Sequence, residues 1–288
     1  MKFTEYSKME AIEKGRLLTC DMIMEPYPDK RKRTIRVWLP ESYDGVKRFP
    51  VLYMHDGQNL FPGLDERYKW MADQGVAELP EDVQVIIVGI DTCLETRGSE
   101  LWPPYPVDED FVLSHGNPML ANAETTGDVY AEFVVKYLKP VIDEEVQTIA
   151  DAAHTGIGGS SMGGLESFYM AMRYPDVFGR CLCFSPAFRC HKLSFELEEL
   201  DKYDYSKIRD NRFFLYNGYE TVDYTATEPT WAFFDKIHTK GMDYRHVALI
   251  FDTRQPHFEP AWGKYFPEAV SYLFSEDNSV IMPPLQDK

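Results

Sequence analysis

The stretch HTGIGGSSMGGLESFYMAMRYP, His154 to Pro175, limits the folds open to this chain more than any other. Five of the chain's eighteen glycines fall in nine residues here, Gly156 to Gly164, between a short apolar run and a helix-like one. Glycine costs backbone entropy on folding, so crowding of this kind needs a steric reason. The window Gly159-Ser160-Ser161-Met162-Gly163 reads G-x-S-x-G at a strand-to-helix junction. A serine in that context sits on a sharp, strained turn, and the glycines two before and two after it leave room where strand and helix pass closely. The turn would raise the Ser161 hydroxyl at the carboxyl end of a sheet, beside helix N-terminal NH groups able to stabilise a developing oxyanion. A dinucleotide fingerprint does not fit: reading from Gly156, the third glycine position is occupied by Ser161.

The surrounding pattern supplies the sheet. TCDMIMEP and RTIRVWLP read as strands joined by a hairpin turn, YPDKRK, whose basic run Asp29 to Arg33 is expected to be solvated. FPVLYMHDG and VQVIIVGID are apolar almost without alternation, which suits strands covered on both faces, with a helix-like segment from Asp65 to Leu79 between them. Little periodicity follows from Thr92 to Thr126. Beyond it come the helix pattern GDVYAEFVVKYLKPVID and the strands HTGIGGS, RCLCFSP, RFFLYNG and HVALIFDT, with helix patterns between and after the later ones. About eight strands, most of them parallel, with helices on both faces, make an α/β chain. No linker or repeat divides it, so residues 1–288 are read as a single domain with an irregular pocket-covering loop around 92–126.

Bulk properties exclude several classes. A net charge of -17 argues against a nucleic-acid partner, which would need clustered Lys and Arg. No run is apolar enough for a signal peptide or a membrane span. Five cysteines without paired CxxC spacing suit reduced thiols in a cytoplasmic protein. No His/Cys/Asp cluster has metal-ligand spacing, and no cofactor is expected.

A serine hydroxyl needs a base to take its proton. His257, in FDTRQPHFEPAW, lies between the last strand and the last helix, where it can swing over the carboxyl edge of the sheet. The acid that orients it should follow the strand RFFLYNG, where Glu220 and Asp223 both qualify. Glu220, nearer the strand end, ranks first, and Asp252 is a third candidate. For the oxyanion, the NH of Met162 is one donor, and the NH of Gln58 in HDGQNLF is a second. Arg97, Trp102, Tyr105, Phe111 and Met119 of the long loop, together with Phe188, are candidate substrate contacts, and Arg97 is placed to bind a substrate carboxylate or phenolate.

Taken in order, RTIRVWLPESYD, FPVLYMHDGQNLF, VIIVGID, GIGGSSMGGLESFYMAMRYPDVFGRCLCFSPAF and HFEPAWGKYFPEAVSYLF resemble the esterase D-like esterase family of the α/β-hydrolase superfamily. That family includes feruloyl, acetylxylan and siderophore esterases, formylglutathione hydrolases and mycolyltransferases. The resemblance covers about Arg33 to Phe274 and implies an α/β-hydrolase fold, with Ser161 and His257 catalytic and Gln58 and Met162 as oxyanion donors. Two departures stand out: NGYETVD where relatives often read GTxE or GTxD, and HFEPAW where many read HNEAAW. The expected activity is hydrolysis of a small ester, of the feruloyl, acetyl-carbohydrate or siderophore kind. An acyltransferase or a catalytically silent binding protein of the same fold, and a homodimer, stay open.

Overall fold

A computed structural model describes residues 3–6, 12–63, 68–108, 110 and 124–276. Nine strands among these form one sheet: β1 (Thr4–Glu5), β2 (Arg16–Ile23), β3 (Lys32–Leu39), β4 (Val51–His55), β5 (Ile86–Ile90), β6 (Thr155–Ser160), β7 (Arg180–Phe184), β8 (Arg212–Gly218) and β9 (Val247–Asp252). Their spatial order is β1-β2-β3-β5-β4-β6-β7-β8-β9. The first three run antiparallel to their neighbours, with β2 and β3 paired from Arg16↔Leu39 to Ile23↔Lys32, and β5 through β9 are all parallel. This is the α/β-hydrolase fold.

The near-continuous apolar runs form strands because both faces of the sheet are covered. Along β4, Val51 and Tyr53 enter one hydrophobic cluster, and Leu52 and Met54 enter the other. The same two-residue period divides Val88 and Ile90 from Ile87, and Cys181 and Cys183 from Leu182 and Phe184. On the second face lie α1 (Ala72–Ala77) and the long C-terminal helix, with Val76, Trp262, Phe266 and Leu273 in the core. On the first face lie α3 (Gly127–Phe133) and α4 (Lys139–Glu145), joined by a π-helical turn, then α5 (Met162–Arg173), α6 (Leu193–Asp201) and α7 (Thr227–Thr239). The C-terminal helix is α8 (Glu259–Phe274).

Four findings depart from the sequence reading. The helix-like segment 65–79 forms a helix only over α1, and residues 64–67 lie outside the described ones. The aperiodic segment after Thr92 contains a helix, α2 (Leu94–Glu100). Its apolar residues give no stripe because ion pairs hold it: Arg97 pairs with Asp56, and Glu100 is buried against Arg31 and Arg33. The basic run is therefore not all solvated. Arg33 is 3% exposed and places Nη2 2.7 and 2.6 Å from the two oxygens of Glu100. Finally, α6 forms in a polar segment through two buried side chains, Glu196 and Leu200.

No helix of the described residues is long and apolar enough to cross a membrane.

Candidate active site

Ser161 stands alone between the last residue of β6 and the first of α5, at φ 56, ψ −121. A non-glycine residue with positive φ is strained, and here the surroundings hold it in place. The Ser161 NH donates to the carbonyl of Phe184 at 2.9 Å, and its own carbonyl accepts from Ala187 at 2.9 Å and Leu165 at 3.1 Å. The flanking glycines have the steric role their spacing suggests. A Cβ on Gly159 would lie 3.0 Å from the carbonyl carbon of Gly163, and one on Gly163 would lie 3.1 Å from Cβ of His55.

Ser161 and His257 line one cleft of about 490 Å³, with Gln58, Arg97, Glu259 and Trp262. The Ser161 hydroxyl itself makes no hydrogen bond to a described residue. His257 turns Nδ1 toward Oδ1 of Asp223, 2.5 Å away, and its ring meets Trp262 edge-on at 4.9 Å. Asp223 is fully buried. Its second oxygen accepts from Ser185 Oγ at 2.7 Å and from the Gly218 NH at 3.1 Å, and Ser185 Oγ in turn accepts from Trp262 Nε1 at 3.0 Å. One network thus ties the carboxylate to the ring that packs against the imidazole.

The acid beside His257 is Asp223, not Glu220. Thr221, at φ 58, starts a 3-10 turn over Thr221–Ala226 that rotates Asp223 inward and leaves Glu220 exposed. Asp252 is engaged elsewhere, accepting from Tyr265 Oη at 2.5 Å and from Lys264.

Asp56, at φ 56, opens the 3-10 turn Gly57–Asn59 that carries Gln58. Neither the NH of Gln58 nor that of Met162 has an acceptor among the described residues. The Gln58 side chain is fixed by Thr92, which donates its NH to Oε1 at 2.9 Å and accepts from Nε2 at 3.1 Å. Burial alone would raise the Asp56 carboxyl, but Arg97 and the Thr92 hydroxyl hold it below its ordinary value. His55, just before it, is pushed down to about 4, mainly by burial, and bonds Tyr130 Oη through Nδ1 at 2.8 Å. It is a neutral packing residue under the turn.

The expected substrate contacts divide. Arg97 faces the cleft and also an adjoining cavity of about 820 Å³ walled by Tyr27, Leu94, Val129 and Met162. Nε and Nη2 each reach an Asp56 oxygen at 2.8 Å, and Nη1 lies 3.4 Å from Met162 Sδ. Trp102 and Phe188 are core residues, 1% and 0% exposed, and Phe188 stacks on Phe233 at 3.7 Å. Tyr105 is half-buried against Tyr169 and His191. Phe111 and Met119 lie outside the described residues. Sequence reasoning missed Ser185, Trp262, Asn59 and Glu259. The only hint was their position, after β7, after β4 and just beyond His257.

The family model described as "Putative esterase" matches residues 29–267. The chain belongs to that family. It is a carboxylic ester hydrolase. Among curated proteins it is similar to "Uncharacterized protein YbbA" of Bacillus subtilis, 23% identical over 258 residues that cover 86% of this chain and 95% of the relative. Two solved structures share its fold. A ferulic acid esterase superposes with a TM-score of 0.66 at 18% identity, covering 91% of this chain and 98% of its own. The enterobactin esterase of Shigella flexneri gives 0.64 at 16% identity, covering 88% of this chain and 58% of that one.

Proposed function

We propose that Ser161, His257 and Asp223 form a nucleophile–base–acid triad that hydrolyses small carboxylic esters. Ser161 Oγ attacks the ester carbonyl carbon while His257 Nε2 takes its proton. Asp223 fixes the imidazole tautomer with the proton on Nδ1 and stabilises the imidazolium that forms. The carbonyl oxygen becomes an oxyanion held by the NH groups of Gln58 and Met162. As the tetrahedral intermediate collapses, the bond to the alcohol oxygen breaks and His257 returns its proton to that oxygen. Water, deprotonated by the same imidazole, then releases the acid and frees Ser161. The Ser161 to His257 hydrogen bond forms as substrate enters, in line with catalytic contacts that tighten only in the complex.

The observation that carries this reading is the 2.5 Å contact between His257 and Asp223, in a cleft shared with a serine on a positive-φ strand-to-helix turn. The named relatives make feruloyl-type and siderophore-type esters the first classes to assay. Ser161→Ala should lower kcat on p-nitrophenyl acetate by more than about a thousandfold with the fold intact by circular dichroism. Activity retained in that variant would remove Ser161 from the mechanism.

A further inference from the structure

At the carboxyl end of the sheet β4 lies between β5 and β6, so the segments that leave these three strands are neighbours. The turn after β4 carries Gln58, the turn after β6 carries Ser161 and Met162, and the segment after β5 leads through Thr92 into α2 and Arg97. The Gln58 turn is strained at its entry, where Asp56 stands at φ 56, and it packs tightly on β5: a Cβ on Gly57 would lie 2.7 Å from the carbonyl carbon of Gly89. Such a backbone keeps its shape only where its surroundings over-determine it. Much of that restraint passes through one carboxylate. Asp56 Oδ1 accepts from Arg97 Nε at 2.8 Å and from the Thr92 hydroxyl at 2.5 Å, and Oδ2 accepts from Arg97 Nη2 at 2.8 Å. The same guanidinium turns Nη1 to Met162 Sδ at 3.4 Å. Arg97 is thus held between the turn that carries Gln58 and the side chain of Met162. Glu259 acts on it electrostatically as well, and accepts from Asn59 of the same turn at 3.1 Å.

A bidentate guanidinium–carboxylate pair sets both distance and angle, which a single point charge does not. The side chains of Arg97 and Asp56 are 24% and 8% exposed, so the pair is shielded from the solvent that weakens surface pairs. Helix α2 is itself anchored one turn further on, where Glu100 pairs with Arg31 and Arg33. Building on the reading of Gln58 and Met162 as oxyanion donors, we propose that Arg97 is a positioning residue for ester hydrolysis: it grips the Asp56 carboxylate and the Met162 thioether and so fixes the spacing of the two NH groups that receive the oxyanion. Those donors act on charge that develops only in the transition state. A small displacement therefore weakens them there and leaves binding of the resting ester nearly unchanged.

Arg97→Met keeps the apolar stem of the side chain and removes its fork. It should lower kcat and kcat/KM on p-nitrophenyl acetate together, each by about a hundredfold, with KM within about twofold. Arg97→Lys, which restores the charge without the fork, should recover about tenfold of that loss. Trifluoroacetophenone, whose adduct on a serine places an oxyanion where the ester carbonyl oxygen would be, should bind Arg97→Met about a hundredfold more weakly, in step with kcat. Thr92→Val leaves the ion pair and removes the hydroxyl between Asp56 and Gln58, and should lower kcat and ketone affinity about tenfold. It carries the test alone if Arg97→Met fails to fold by circular dichroism. A loss confined to KM, or one seen only with an ester bearing a carboxylate such as mono-p-nitrophenyl succinate, would make the guanidinium a substrate contact and overturn the proposal. So would unchanged kcat and ketone affinity in the folded variants. Wild-type protein that neither hydrolyses p-nitrophenyl acetate nor binds the ketone would instead overturn the triad reading on which the proposal rests.

Discussion

Two of the four imidazole–carboxylate pairs among the described residues have a buried carboxylate, yet only one of these two shares a cleft with a serine. His191 Nδ1 meets Glu196 Oε1 at 2.9 Å, and His257 Nδ1 meets Asp223 Oδ1 at 2.5 Å. The first pair is sealed. Its side chains are 0% and 1% exposed, and Trp102 and Tyr105 close edge-on over the imidazole at 4.8 and 5.7 Å. Burial pushes His191 down to about 3 and Glu196 well above the usual carboxyl range, so at neutral pH the two form an uncharged hydrogen bond. His191 Nε2 and Glu196 Oε2 have no hydrogen-bond partner among the described residues. In the second pair the imidazole is 17% exposed on a cleft, and both oxygens of Asp223 are filled and oriented by Ser185, Gly218 and His257. The same two residue types act as a strut where both are enclosed. They suit general-base chemistry where one ring edge is open and the acid is held from behind.

That contrast can be broken by experiment. The largest effect expected is at the bases: His257→Ala should lower kcat about ten-thousandfold with little change in stability, whereas His191→Phe should keep kcat within about twofold and cost about 2 kcal/mol by leaving Glu196 without its partner. Paired ester kinetics and urea unfolding would show it, and the reverse pattern would make the buried pair the working one. At the acids, Asp223→Asn should cost about a thousandfold in kcat by stabilising the wrong imidazole tautomer, and Glu220→Gln should cost less than about twofold. Equal losses at the two positions would mean that the inward turn at Thr221 does not decide the acid.

The smallest effect concerns pH and stability. Native Glu196 keeps a proton that the unfolded chain releases above 4.5, so stability falls as pH rises from there through the raised native value. Unfolded His191 takes up a proton below 6.5, which the native residue refuses until about 3, so stability also falls as pH drops across that interval. Glu196→Gln should flatten the first limb and His191→Phe the second in urea titrations across pH. Curves parallel to wild type in both would contradict the uncharged pair.

The strands were legible because β4, β5 and β8 are buried from end to end and write apolar runs into the sequence, while β6, equally buried, is glycine-rich. The turn at Ser161 was legible because its steric crowding demands glycine. What stayed hidden depends on tertiary contacts that leave no period. The ion pairs that hold α2 join Glu100 to residues 67 and 69 positions earlier, and the choice between Glu220 and Asp223 rests on one positive-φ threonine. Aromatic content misled for a related reason: Trp102 and Phe188 are as well suited to filling a core as to lining a pocket, and position in a loop does not say which.

The central claim is that Ser161 is an activated nucleophile, and covalent trapping tests it most directly. Incubation with a fluorophosphonate followed by peptide mass spectrometry should give one adduct, on Ser161, absent from Ser161→Ala and slowed at least about a hundredfold in His257→Ala. An adduct on another residue that tracks with loss of esterase activity, or labelling of Ser161 at the same rate without His257, would contradict it.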